Sequence, residues 1–155
     1  MGLNYYQIKK HVRKARKLVI KGTTIAESGH PGGSFSMAEI MGVLFNNFLR
    51  YDPQNPLWED RDRLVLSKGH AAPALYATLA ECGYFPISKL ESLRKNDGFL
   101  QGHPDLSIPG IEVSSGSLGQ GLSCGNGIAL AARLDGISSR IFVLLGDGEC
   151  DEGQV

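Results

Sequence analysis

The sequence predicts an α/β protein in which a parallel sheet is flanked by helices. Three observations point there. Short apolar runs suited to buried strands recur at residues 63–67, 111–115 and 140–145. Longer stretches with helical patterning separate or precede them, and each run ends directly in a polar or glycine-rich loop. Strands that alternate with helices imply right-handed crossovers and a parallel sheet covered on both faces.

The first helix is expected over about residues 4–28, where Ile8, Val12, Ala15, Val19, Gly22 and Ala26 recur in steps of four and three. Its other face carries Lys9, Lys10, Arg13, Lys14, Arg16, Lys17 and Lys21. Such a face can bind a membrane surface, a nucleic acid or an organelle importer, or be a solvated face balanced by acids elsewhere; zero net charge favours the last. Ser36-Met37-Ala38-Glu39 has capping-box form and predicts a second helix ending near Arg50, before the loop at Asp52-Pro53. The strand 63–67 follows. An alanine-rich helix is expected over 72–82, stopping at Gly83. Ser88-Lys89-Leu90-Glu91 predicts a short capped helix to about Asn96, then comes the strand 111–115. A small-residue helix at 118–134 is closed by Asp135-Gly136, ahead of the strand 140–145.

At 155 residues and 42% hydrophobic content, the chain can bury one sizeable core and reads as a single domain, residues 1–155. Its 16 basic and 16 acidic residues cancel, which disfavours nucleic acid and anionic membrane as partners. No apolar run reaches membrane-spanning length. Cys82, Cys124 and Cys150 are odd in number and lack metal-ligand spacing, so a reducing, cytoplasmic setting is expected.

In a parallel sheet, ligands sit at the carboxyl ends of the strands. The three strand ends run into Lys68-Gly69-His70, Ser115-Gly116-Ser117-Leu118-Gly119-Gln120-Gly121 and Gly146-Asp147-Gly148. Together they predict a glycine-lined crevice holding a histidine and a carboxylate. Asp147 between two glycines suits Mg²⁺, which keeps few protein ligands and takes phosphate oxygens and water; the same tripeptide is also an ordinary strand-ending turn. The loop 115–121 opens a helix, whose N-terminal amides attract phosphate. It is neither a GxGxxG fingerprint nor a P-loop, and close helix–sheet packing explains its glycines equally well. His30, His70 and His103 each follow a glycine, two of them in Gly-His-Pro. Imidazoles so placed can bind phosphate, hydrogen-bond sugar hydroxyls and move protons. Zinc is the weaker alternative, since no pair has i, i+4 spacing and no thiol is near.

The stretches SGHPGGSFSMAEI, DRLVLSKGHAAPALYATLAECGYF, LQGHPD, SSGSLGQGLS and LLGDGECDEGQV occur in the order found in transketolases. The chain resembles their N-terminal, diphosphate-binding part, in the form carried by bacterial and archaeal split transketolases. The resemblance implies the thiamine-diphosphate-binding (PP-type) fold and transfer of a two-carbon ketol unit from a ketose phosphate to an aldose phosphate, as in the pentose phosphate pathway. It implies that Asp147 ligates Mg²⁺ or another divalent cation, with Gly148 beside it. His70 and the Gly116-Ser117-Leu118 turn would contact thiamine diphosphate. His30 and His103 would line the donor-substrate channel, and Glu152 would sit at the subunit interface, in the hydrogen-bonding path to the activating glutamate of the partner. Glu149 and Asp151 are assigned no role beyond solvation.

Two features depart from the family pattern. The second metal ligand, an Asn, lies downstream of this motif, and the activating glutamate belongs to the pyrimidine-binding domain. The 155 residues alone are therefore expected to be inactive, and to work only with further sequence and a partner domain or C-terminal subunit, as a homodimer or heterotetramer. Lys68 also stands where many full-length transketolases carry Asn. The rival readings are a related thiamine enzyme such as deoxyxylulose-phosphate synthase, and a non-catalytic fragment or assembly module with exposed apolar interface surface.

Overall fold

A computed structural model describes residues 2–155 and divides the chain into two compact units. One comprises the chain up to Leu49 together with His70–Gly102; the other comprises Arg50–Gly69 and His103–Val155.

The first unit is helical. Helix α1 spans Tyr5–Ile25 and buries Val12, Ala15, Val19 and Gly22, the stripe expected from the sequence. It opens on a capping box that the sequence reading missed: Gln7 N donates to Asn4 Oδ1 and Asn4 N donates to Gln7 Oε1. Helix α2 spans Pro31–Phe35, with proline in its first turn, and α3 spans Ala38–Val43 before a π-helical turn at Leu44–Phe48. The expected Ser36 cap does not form. Ser36 is already in a helical conformation at the end of α2, and its hydroxyl turns back to the Gly33 carbonyl. The helical segment ends at Phe48, close to the expected end near Arg50, where Leu49 turns extended. Helix α4, Ala72–Glu81, is the expected alanine-rich helix and is buried from Ala72 through Ala80. It stops where Gly83 takes φ of 92°, a conformation that disfavours side chains. The predicted capped helix at Ser88 is instead a 3₁₀ turn, Ile87–Ser92, with no side-chain cap bond.

Acids elsewhere in this unit do balance part of the basic face of α1. Arg16 meets Glu39 at 2.8 Å and Lys21 meets Glu91 at 2.7 Å. Lys14 lies 3.2 Å from the buried Glu81. Burial raises the Glu81 carboxyl above its ordinary value, and the bond from Lys14 opposes that rise without cancelling it.

The second unit holds a parallel sheet of two strands, β1 (Arg63–Leu66) and β2 (Ile141–Leu144), with Arg63 opposite Ile141 and Leu66 opposite Leu144. Helix α5, Gln120–Leu134, crosses between them in sequence and packs on the sheet. The packing distance is set by small residues: a Cβ at Gly121 would lie 2.5 Å from the Ser67 side chain and 2.6 Å from its Cα. Gly121→Ala is therefore expected to destabilise the protein by about 2 kcal/mol or more. Thermal unfolding of the variant checks this, and an unchanged midpoint would mean that α5 does not seat on β1 this closely.

The strand expected at 111–115 is absent; the segment is loop and turn. Its backbone bonds locally, Ile111 N to the Ile108 carbonyl, while the Ser114 hydroxyl accepts from Leu106 N. Glu112 is drawn into buried ion pairs with Arg61 and Arg63. A second charge cluster joins the strand starts. Asp62, whose side chain is fully buried, accepts from the backbone and guanidinium groups of both Arg50 and Arg140. Burial alone would raise the Asp62 carboxyl, but the hydrogen bonds, led by Arg140, outweigh it and hold the group far below the usual carboxylate range.

Candidate active site

Two of the predicted histidines come together in the helical unit. His30 is the residue before Pro31 that opens α2, and His70 lies just ahead of α4. Their rings meet edge to face with centroids 5.4 Å apart. A Cβ at Gly33 would stand 3.1 Å from His70 Nε2, so the glycine lets α2 pass beside the ring. The buried Ser34 hydroxyl bonds the Ala71 carbonyl at 3.4 Å, tying α2 to the start of α4. His30 is exposed and His70 half-buried.

The sheet unit contains the remaining predicted residues. His103 is exposed, and its ring lies against Gly116: a Cβ there would touch its Cδ2 at 3.5 Å. Gly116, Ser117 and Leu118 lead into Gly119, whose φ of 81° turns the chain into α5. The amides of Gly116, Ser117 and Leu118 donate to no described residue, so this turn presents a short row of unused donors. After β2, Asp147 precedes a 3₁₀ turn, Gly148–Asp151. Its carboxylate is exposed and makes no hydrogen bond to a described residue. A Cβ at Gly148 would meet nothing within 4 Å, so the space beside Asp147 is open. Glu152 is exposed and borders the first turn of α5, where Gln154 donates to Ser123 Oγ at 2.8 Å.

The sequence reading assigned Glu149 to solvent. The structure corrects this: Glu149 is 3% exposed. Its Oε1 accepts from the Ser67 hydroxyl at 2.5 Å and from Gly119 N at 2.8 Å, and its Oε2 accepts from Gly146 N at 2.8 Å. Ser67 in turn accepts from Gly121 N at 3.1 Å. The amides at the start of α5 that the sequence suggested for phosphate are thus partly taken by protein oxygens. Beside them lies buried Lys68. Burial lowers its ammonium below the ordinary lysine value, opposed by the charges of Asp147 and Glu149.

This unit combines unused amides, a buried cation and an unbonded carboxylate. Amides and lysine suit a diphosphate, and a carboxylate with open space beside it suits a hard divalent ion that completes its shell with ligand oxygens and water. Among the described residues, no three His, Cys, Asp or Glu side chains converge as a ready-made metal cage. Asp147 would be the protein ligand from this segment. Among the same residues no helix is long and apolar enough to cross a membrane.

The family described as "Transketolase, thiamine diphosphate binding domain" matches residues 7–155. A relative from Clostridium sp., "6-deoxy-6-sulfo-D-fructose transketolase subunit SqwG", is 47% identical over 141 residues, covering 90% of this chain and 51% of the relative. The transketolase of Homo sapiens is 46% identical over 149 residues, covering 96% of this chain and 24% of its own. The crystal structure of transketolase from Campylobacter jejuni superposes with a TM-score of 0.91 at 34% identity, over 97% of this chain and 25% of the other. The chain thus spans about half of the subunit relative and about a quarter of the whole transketolases. With the match running through every loop described above, the chain belongs to the transketolase thiamine diphosphate-binding domain family.

Proposed function

We propose that the chain is the N-terminal section of the diphosphate-binding domain of a transketolase, active in the cytoplasm with thiamine diphosphate and Mg²⁺ or another divalent cation. It would act on sugar phosphates, as in the pentose phosphate pathway, within an oligomer completed by a pyrimidine-binding domain or C-terminal subunit. The observation that carries the reading is the coincidence, in one unit, of the unused Gly116–Leu118 amides with the unbonded Asp147 carboxylate.

Each residue has a task that its surroundings permit. Asp147 would hold the cation, with side-chain-free Gly148 leaving the approach clear. The Gly116-Ser117-Leu118 amides would hold the diphosphate, helped by the Lys68 charge, and His70 would contact the cofactor. When bound, thiamine diphosphate supplies the electron sink for the carbon–carbon step. His30 and His103, both exposed imidazoles, would bind donor-sugar hydroxyls and move protons. Exposed Glu152 would meet the partner, and the outer face of α5 offers more contact surface, with Leu130 at 60% and Leu134 at 87% exposure.

The test is ketol transfer by the complete protein with its partner, thiamine diphosphate and Mg²⁺. Ketose phosphate donors and aldose phosphate acceptors should turn over, and omitting cofactor or cation should abolish it. The names of relatives widen the panel to 6-deoxy-6-sulfo-D-fructose and apulose 4-phosphate. No cofactor-dependent transfer from any donor in the complete assembly would sink the proposal.

A further inference from the structure

Glu149 is a buried acid that none of the functional roles above uses, and its surroundings show what it does. Its two oxygens accept from three segments far apart in the chain: Ser67 at the end of β1, Gly119 at the mouth of α5, and Gly146 at the end of β2. Ser67 passes the connection on to Gly121 N. On one side the next donors along the chain are the unused amides of Gly116, Ser117 and Leu118; on the other the next residue with a charge is Asp147, with Lys68 next to Ser67. A carboxylate accepts only, and all three contacts are donors to it.

We infer that Glu149 is a positioning residue for the cofactor: it touches neither diphosphate nor cation, but fixes the amide row and the Asp147 carboxylate in one arrangement that can receive both. This rests on the cofactor reading above. The physical reason is register. Each loop alone is short and glycine-rich, and glycine-rich backbone has many conformations to lose. Binding a diphosphate–cation pair needs donors from one loop and the ligand from the other at a set separation, and an acid bonded to both supplies it before the ligand arrives. The same bonds keep Gly119 N and Gly121 N occupied, which directs a diphosphate to the preceding amides.

Glu149→Gln separates these roles, because an amide keeps the size but turns one oxygen into a donor. Facing Gly146 N–H or the Gly119 N–H and Ser67 pair, that nitrogen repels a donor it should receive. In the complete protein, calorimetric titration with thiamine diphosphate across Mg²⁺ concentrations should show the dissociation constant raised by about tenfold or more. Half-saturating Mg²⁺ should rise in step, while the KM for the donor sugar stays unchanged. Ser67→Ala provides a second route should Glu149→Gln not fold; it removes one of the three contacts and should weaken cofactor binding by a smaller factor, about threefold. Cofactor and cation affinity at the unsubstituted value in the folded variants, or a loss confined to the sugar KM, overturns the positioning role and leaves the cofactor reading standing. Failure of the unsubstituted complete protein to bind thiamine diphosphate overturns both.

Discussion

Asp147→Ala in the complete protein is expected to weaken thiamine diphosphate binding by on the order of 100-fold or more at fixed Mg²⁺, because outer partners of a bound metal alone are worth about 10–100-fold and Asp147 would be a direct ligand. The structure makes this test clean. The carboxylate is exposed and makes no hydrogen bond to a described residue, so its removal breaks none. Stability should fall by no more than about 1 kcal/mol, chiefly because buried Lys68 loses part of its counter-charge. The nearby Lys68 would lose an opposing charge, which can only favour diphosphate in the absence of metal. A loss of affinity that appears with Mg²⁺ and vanishes without it therefore identifies cation binding as the cause. Titrating the cofactor calorimetrically at several Mg²⁺ concentrations provides the readout. Equal affinity for both proteins at every Mg²⁺ concentration would remove Asp147 from the cation site.

The largest stability effect is expected at Asp62→Asn, about 3 kcal/mol, since breaking a buried ion pair leaves the other partner without its counter-charge. Asp62 accepts from two guanidinium groups and two backbone amides, and asparagine would turn a donor toward one of them. Arg50 and Arg140 are close to half exposed and can be rehydrated, which places the figure at the low end of the range. Urea unfolding at neutral pH, with an unchanged slope, measures it; a loss under 1 kcal/mol would show that the cluster is not what pins the strand starts. The pH dependence has a definite sign. The folded-state pKa of Asp62 is depressed, so its stabilisation is full above the unfolded value of about 3.9 and fades as pH falls below it toward the folded value. Asp62→Asn should therefore cost least in strong acid.

Much of the chain was legible from local pattern. The α1 stripe was announced by periodicity, α4 and α5 by their alanine-rich and small-residue composition, and β1 and β2 by short apolar runs, and each fell within a few residues of its expected place. The stretches that carried the family resemblance could likewise be read in order along the chain, and the family match covers all of them. The errors came where local pattern had distant competition. Ser36 has capping-box neighbours, but a preceding helix had already claimed its backbone. The run at 111–115 has strand composition, but Glu112 is held by Arg61 and Arg63, about fifty residues away in sequence, and the segment follows those ion pairs.

The sequence by itself determined the class of fold, the order of the loops and the chemical types gathered in them, because period, glycine placement and motif order are properties of neighbouring residues. Only the tertiary structure decided which groups remain open to a ligand and which are already used. Asp147 and Glu149 are two positions apart and look alike in the sequence. The Asp147 carboxylate makes no hydrogen bond to a described residue, while that of Glu149 is buried against Ser67, Gly119 and Gly146. Two of those three partners lie 30 or more residues away, so Glu149 acquires its contacts only when the chain folds.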